Sequence, residues 1–227
     1  MDYQVIRSGR KTLCIQLTAS GDVVVRAPRR CSRAYIDGFV AEHQDWIDIH
    51  RAKLLERSAL RDGFFLREGD AITLCGEIFT VHLVEGLKPR LFRGQMILPS
   101  GDMSRVRSDI LHLAKYYGLP RLKQRLDLWA ERMEIDYREM KMSSARTRWG
   151  SCSRDGVIRV SVYLVFAPER AIDYVLVHEL AHRRHFDHSR AFWTLVEAAM
   201  PDYRQQRQFL RSFQQEPLLL SLAAKDA

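Results

Sequence analysis

Alternating apolar and polar positions dominate the first part of the chain and predict short strands. Residues 3–27 alternate on both sides of an Ala-Ser-Gly-Asp turn, which predicts a hairpin. Beyond Ser32, which suits a helix N-cap, apolar residues recur at spacings of three and four as far as Glu56. We therefore expect one amphipathic helix there, followed by Gly-punctuated strands between residues 64 and 99.

Helical spacing returns near residue 104 and continues to about residue 134. Because proline removes a backbone donor from a helix interior, we expect Pro120 to split this stretch into two helices. Strand-like segments follow at residues 138–147 and 157–166, and a last helical region begins at Pro168. This order of strands and helices, without an internal repeat, predicts an α+β fold.

The chain has 227 residues, of which 46% are hydrophobic, so it can form one large domain or two small ones. We expect two parts. Residues 1–100 would form a β-rich N-terminal subdomain with one amphipathic helix. Residues 101–227 would form the domain that carries the chemistry.

Lys and Arg number 36 against 28 Asp and Glu, a net charge of +8. This excess favours acidic partners, including nucleic acid bound through a basic surface. The start of the chain is charged and no apolar stretch reaches about 18 residues, so we expect a cytoplasmic protein without a membrane partner. Four dispersed cysteines argue against a disulfide framework and against a thiolate zinc site. The sequence indicates no particular oligomeric state.

The segment VLVHELAHRRH contains the pattern H-E-x-x-H at His178, Glu179 and His182. Four helical residues advance the chain by about 400° and about 6 Å, so the two imidazoles lie side by side and can bind one ion. Glu179 is then placed as a base rather than as a ligand. Burial of these groups in an apolar helix without a metal would be costly, which favours a single zinc ion, or another divalent metal, over two exposed histidines.

A catalytic zinc ion takes three protein ligands and leaves one position for water, so a third ligand is needed. His185 would lie about 10 Å beyond His178 along a continued helix, which is too far. His188 can return on a turn and is the residue we favour. Glu197, in the next predicted helix, is the alternative, since a carboxylate from a second helix completes some zinc sites.

Arg146, Arg148 and Trp149 precede a Gly-Ser pair that we interpret as a turn. Arginines projected from this turn into a cleft would bind an anionic group of the substrate. The alternative is that they are surface arginines on an edge strand. Between residues 138 and 159 there are six basic residues and two acidic ones, an excess that suits phosphate.

The segment from Ser144 to Trp193 resembles the YgjP-like family of bacterial metallopeptidases, which are relatives of SprT-type and WLM-type zinc domains. The motifs that carry the resemblance are ARTRWGSCS at 145–153, IDYVLVHELAH at 172–182 and HSRAFW at 188–193, with RSGRKTL and VVVRAP in the N-terminal part. These motifs extend over nearly the full length of the chain.

The resemblance implies a zincin-like metallopeptidase domain. It implies His178, His182 and His188 as metal ligands and Glu179 as the catalytic residue. The sequence departs from the family at one place, because Ser161 stands where such relatives usually carry an asparagine.

Three functions are compatible with these residues. The first is a zinc metallopeptidase in which Glu179 takes a proton from an activated water that attacks a peptide. The second is a nucleoside triphosphate pyrophosphohydrolase of the UTP type, a chemistry linked to members of the same family, in which the same site would attack a phosphoanhydride. The third is a nucleic-acid-binding module with a structural metal, which we favour least because structural zinc sites usually have four protein ligands.

Overall fold

The computed structural model describes residues 1–18 and 20–223, and these form the expected α+β fold. The described residues contain three small sheets and seven α-helices. The chain divides into two compact units, Met1–Phe64 and a second unit that begins at Phe65. The boundary at residue 64 lies before the strands between residues 64 and 99, which we expected in the N-terminal part. These strands belong to the second unit because they pack on its helical segments.

Three strands and two helices build the first unit. They are β1 (Tyr3–Ser8), β2 (Cys14–Leu17), β3 (Val23–Pro28), α1 (Arg33–Glu42) and α2 (Gln44–Asp62). Strand β3 lies in the centre, antiparallel to β2 as the predicted hairpin requires and parallel to β1. Buried valines of β3 share one hydrophobic core with Ile36, Val40 and Ile47 of the two helices.

The single helix expected from Ser32 to Glu56 is wrong, because the chain forms two helices that meet at His43. The backbone N–H of His43 bonds to the carbonyl of Val40, three residues back, which tightens the last turn of α1. The imidazole Nδ1 of His43 also lies 2.9 Å from the carbonyl oxygen of Phe39. The tightened turn ends α1 at His43, and α2 begins at the next residue.

The second unit contains two sheets and five helices among its described residues. Its elements are β4 (Ala71–Leu74), β5 (Glu77–Leu83), β6 (Arg90–Phe92), β7 (Gln95–Leu98), α3 (Met103–Met133), β8 (Glu139–Ser143), β9 (Gly150–Cys152), β10 (Val157–Ser161), a 3₁₀ helix (Val162–Phe166), α4 (Glu169–Ala181), α5 (Arg190–Ala199), α6 (Tyr203–Phe213) and α7 (Pro217–Leu222). The strand orders are β4-β5-β7-β6 and β8-β10-β9, so β9 is an edge strand.

Helix α3 is continuous, so the expectation that Pro120 divides it is wrong. Pro120 lies on the exposed side, where water can satisfy the carbonyl that loses its donor. Leu113 and Leu122 are buried on either side of it and hold both halves to the core. No helix in the part of the chain that the structure describes is long and apolar enough to cross a membrane.

Helix α4 begins directly after Pro168, as predicted, and packs against α3. Its Asp173 is only 5% exposed and receives two hydrogen bonds from Arg125 of α3, at 2.8 and 2.7 Å. Arg125 also lies 3.2 Å from Glu169 in the first turn of α4. Because a buried carboxylate is costly without a partner, this bidentate pair fixes the position of α4 on α3.

The apolar residues near the end of the chain pack on the second unit. In α7, Leu219, Leu220 and Leu222 are buried, and the helix contacts α3. The hydroxyl of Tyr163 donates a hydrogen bond to the carbonyl oxygen of Leu222 at 3.3 Å. Residues 224–227 lie outside the described part of the chain.

Candidate metal centre

Three histidines meet where α4 ends. His178 lies in the last turn of α4, His182 is its C-cap residue, and the loop before α5 carries His188 back towards both. One ring nitrogen from each histidine lies within 4.8 Å of the others. The sequence predicted these three side chains as one group, and the structure brings them together.

Two of the ring nitrogens have the separation that zinc ligands require. Nε2 of His188 lies 3.2 Å from Nε2 of His178. Two nitrogens held tetrahedrally by one zinc ion at about 2.1 Å each lie about 3.4 Å apart. Nδ1 of His182 donates to the carbonyl oxygen of His185 at 3.0 Å, which leaves Nε2 of His182 with a free lone pair. The donor set therefore fits a zinc ion.

Aromatic packing holds the histidine rings in place. Phe192 of α5 is fully buried, and its ring centroid lies 4.7 to 4.9 Å from those of the three histidines. Trp193 stacks on His188 at 5.7 Å. Nδ1 of His178 is buried and has no hydrogen-bond partner among the described residues, so packing alone orients this ring.

Burial keeps His178 and His182 in the neutral form that metal binding needs. Desolvation lowers the pKa of His178 to about 3, with further lowering by His182, His188 and Arg207. Desolvation is also the largest cause that lowers the pKa of His182. These imidazoles are consequently ready to bind a cation at neutral pH.

Glu179 lies beside the histidines and is buried, with 5% exposure. Its Oε2 has no hydrogen-bond partner in the described part of the chain. Desolvation raises the pKa of Glu179 to about 8, while the positive charge of Arg148 lowers it. A buried carboxyl group without a partner, with a strongly shifted pKa and next to three imidazoles, is a candidate functional group.

The backbone of β9 closes over Glu179 at Gly150. A Cβ atom at Gly150 would lie 2.6 Å from Oε1 of Glu179, so only glycine fits. The interpretation of residues 150–151 as a turn is wrong, because Gly150 pairs with Val160 across the ladder of β9 and β10. Sequence reasoning missed this contact, although a glycine inside a strand often marks a close approach.

We expect Gly150→Ala to lower kcat about 100-fold, since a displacement of about 1 Å at a catalytic group costs that much. The histidines would keep their arrangement, so metal content should remain at the wild-type level. Gly38→Ala is the matched control, because a Cβ at Gly38 meets nothing within 4 Å. Equal activity of the two variants would show that Gly150 does not position Glu179.

Glu197, the alternative third ligand, is not part of the histidine group. It lies 3.6 Å from Arg204 and is half exposed.

The predicted substrate-binding residues lie before β9. Arg146 and Arg148 are exposed, and the ring of Trp149 stacks on Phe213 of α6 at 6.1 Å.

Part of the basic excess between residues 138 and 159 is compensated within the chain. Arg138 pairs with Asp155 at 2.8 Å, and Lys141 pairs with Glu139 at 3.0 Å. The hydroxyl of Ser161 donates a hydrogen bond to the carbonyl of Ala145 at 2.6 Å and so holds the start of the loop that carries the arginines.

Comparison with known proteins identifies the family. The crystal structure of the metallopeptidase zymogen of Pyrococcus abyssi abylysin is similar over 40% of this chain and 92% of that chain, with 20% identity and a TM-score of 0.38. No curated protein is significantly similar in sequence. The YgjP-like metallopeptidase domain family matches residues 11–213, which confirms the resemblance seen in the motifs. The chain therefore belongs to the YgjP-like metallopeptidase family.

Proposed function

We propose that this protein is a zinc-dependent peptidase in which Glu179 is the general base. The observation that carries the proposal is the buried carboxyl group of Glu179 next to three imidazoles whose ligand atoms lie within 4.8 Å of one another. Three histidines without a fourth protein ligand in the described group favour a catalytic site over a structural one. Membership in a metallopeptidase family supports a peptide as the substrate.

In the proposed mechanism, His178, His182 and His188 hold the ion. When bound, zinc acts as a Lewis acid that makes water nucleophilic at neutral pH. Glu179 accepts the proton of the attacking water at its carboxylate and then donates it to the amine of the leaving peptide. Glu179 must be ionised for this role, and the positive charges of Arg148 and of the cation both favour the ionised form.

The substrate is tested by offering peptides and nucleotides to the same preparation. Zinc-loaded protein is incubated with unfolded casein and with a panel of nucleoside triphosphates, each with and without DNA. We expect peptide fragments by mass spectrometry, their loss after removal of zinc by a chelator, and their return when zinc is added back. Metal-dependent release of pyrophosphate without peptide fragments would reject the peptidase and support the nucleotide alternative.

A further inference from the structure

Helix α6 places an arginine beside the histidine group. The guanidinium carbon of Arg207 lies 5.0 Å from the ring centroid of Trp193, and Trp193 stacks on His188 at 5.7 Å. One aromatic ring therefore separates the charge of Arg207 from a proposed metal ligand. Arg207 is exposed, so a substrate can reach it.

The same helix extends towards the loop that carries Arg148. Tyr203 at the start of α6 stacks on Trp193 at 5.3 Å, and Phe213 at its end stacks on Trp149 at 6.1 Å. Helix α6 thus extends from Trp193 of α5, beside His188, to Trp149, which directly precedes β9.

Arg207 and Arg211 of α6 have no carboxylate within 4 Å among the described residues, whereas Arg204 of the same helix pairs with Glu197. Arg125, Arg138, Arg170 and Arg204 each pair with an aspartate or glutamate. Arg207 and Arg211 are four residues apart on α6, where two like charges lower helix stability. A negative group supplied by the substrate would compensate these charges.

We propose that Arg207 binds an acidic side chain next to the scissile bond of a peptide substrate. This inference rests on the proposed peptidase function and names its substrate class. A guanidinium group binds a carboxylate through two parallel hydrogen bonds, which gives both affinity and orientation. The ring of Trp193 lies between Arg207 and His188, so an acidic side chain bound by Arg207 would lie near the proposed metal ligands.

The test compares two peptides that differ only by Asp or Asn next to the scissile bond. We expect the wild type to cleave the Asp peptide with at least about tenfold higher kcat/KM, as one charged hydrogen-bonding pair allows. Arg207→Ala should lower the Asp-to-Asn ratio about tenfold, and Arg207→Lys should restore part of it. Added salt should lower the ratio in the wild type.

Arg204→Ala is the matched control. Arg204 is exposed on the same helix but is paired with Glu197, so its removal should leave the ratio at the wild-type value. A wild-type ratio near one, or equal loss of the ratio in the variants of Arg204 and Arg207, would overturn the inference.

A binding measurement separates this inference from the peptidase proposal. Calorimetry with zinc-loaded Glu179→Gln protein should show tighter binding of the Asp peptide, and Arg207→Ala in that background should remove the difference. If neither peptide is cleaved but this binding difference is present, the peptidase proposal fails and the role of Arg207 stands. Arg207-dependent binding of ATP, with no preference between the peptides, would overturn the inference.

Discussion

Glu179→Gln should lower kcat for peptide hydrolysis by about 10²- to 10⁴-fold and leave the metal content unchanged. Glutamine has nearly the volume of glutamate, so the contact with Gly150 and the arrangement of the histidines are preserved. Its amide cannot accept a proton from water, so only the base is removed. The measurement is kcat on a peptide substrate together with the zinc content of the purified variant.

Glu169→Gln is the control for this variant. Glu169 lies on the same helix, α4, but its side chain is 57% exposed and its partner is Arg125 on α3. An exposed pair contributes little to stability, so this variant should retain nearly full activity. Full turnover by the Glu179→Gln protein would overturn the assigned role, and loss of zinc from it would mean that the carboxylate is a ligand.

His188→Ala should abolish peptide hydrolysis and weaken zinc binding by at least about 100-fold. Residues that only hydrogen-bond to a metal ligand contribute about 10- to 100-fold to metal affinity, and a ligand itself contributes more. His188 is exposed and lies in a loop, so its truncation should leave the fold intact. Zinc at about 100 times its Kd should stabilise the wild type by about 2.7 kcal/mol and leave the stability of the variant unchanged, which thermal unfolding can measure.

Glu197→Gln distinguishes the two candidate third ligands. Because Glu197 pairs with Arg204 on the protein surface, this variant should bind zinc and cleave peptides like the wild type. Loss of zinc from the Glu197 variant, with zinc retained by His188→Ala, would assign the third position to the carboxylate.

The core of the site was predictable because helical geometry determines it. The spacing of His178 and His182 places both rings on one face of any helix that contains them. The choice of His188 over His185 followed from the short reach of a metal–nitrogen bond. Both predictions depend only on local geometry, which follows from the spacing of the histidines along the chain.

Contacts between distant segments were not predictable in the same way. The fit of Gly150 against Glu179 and the position of Arg207 beside Trp193 depend on how β9 and α6 pack around α4. Periodicity carries no information about such packing.

Packing and local competition also decided the helix boundaries. Buried residues on both sides of Pro120 keep α3 continuous against the preference of proline. At His43, the backbone bond to Val40 closes the last turn of α1, where the apolar pattern would continue the helix.

The proposed function depends most on one cation held by three imidazoles. Its most direct test is X-ray diffraction from zinc-soaked crystals, recorded on both sides of the zinc absorption edge. We expect one strong anomalous peak at about 2.1 Å from a ring nitrogen of each of His178, His182 and His188. A peak bound by other residues, or no peak at saturating zinc, would contradict the account.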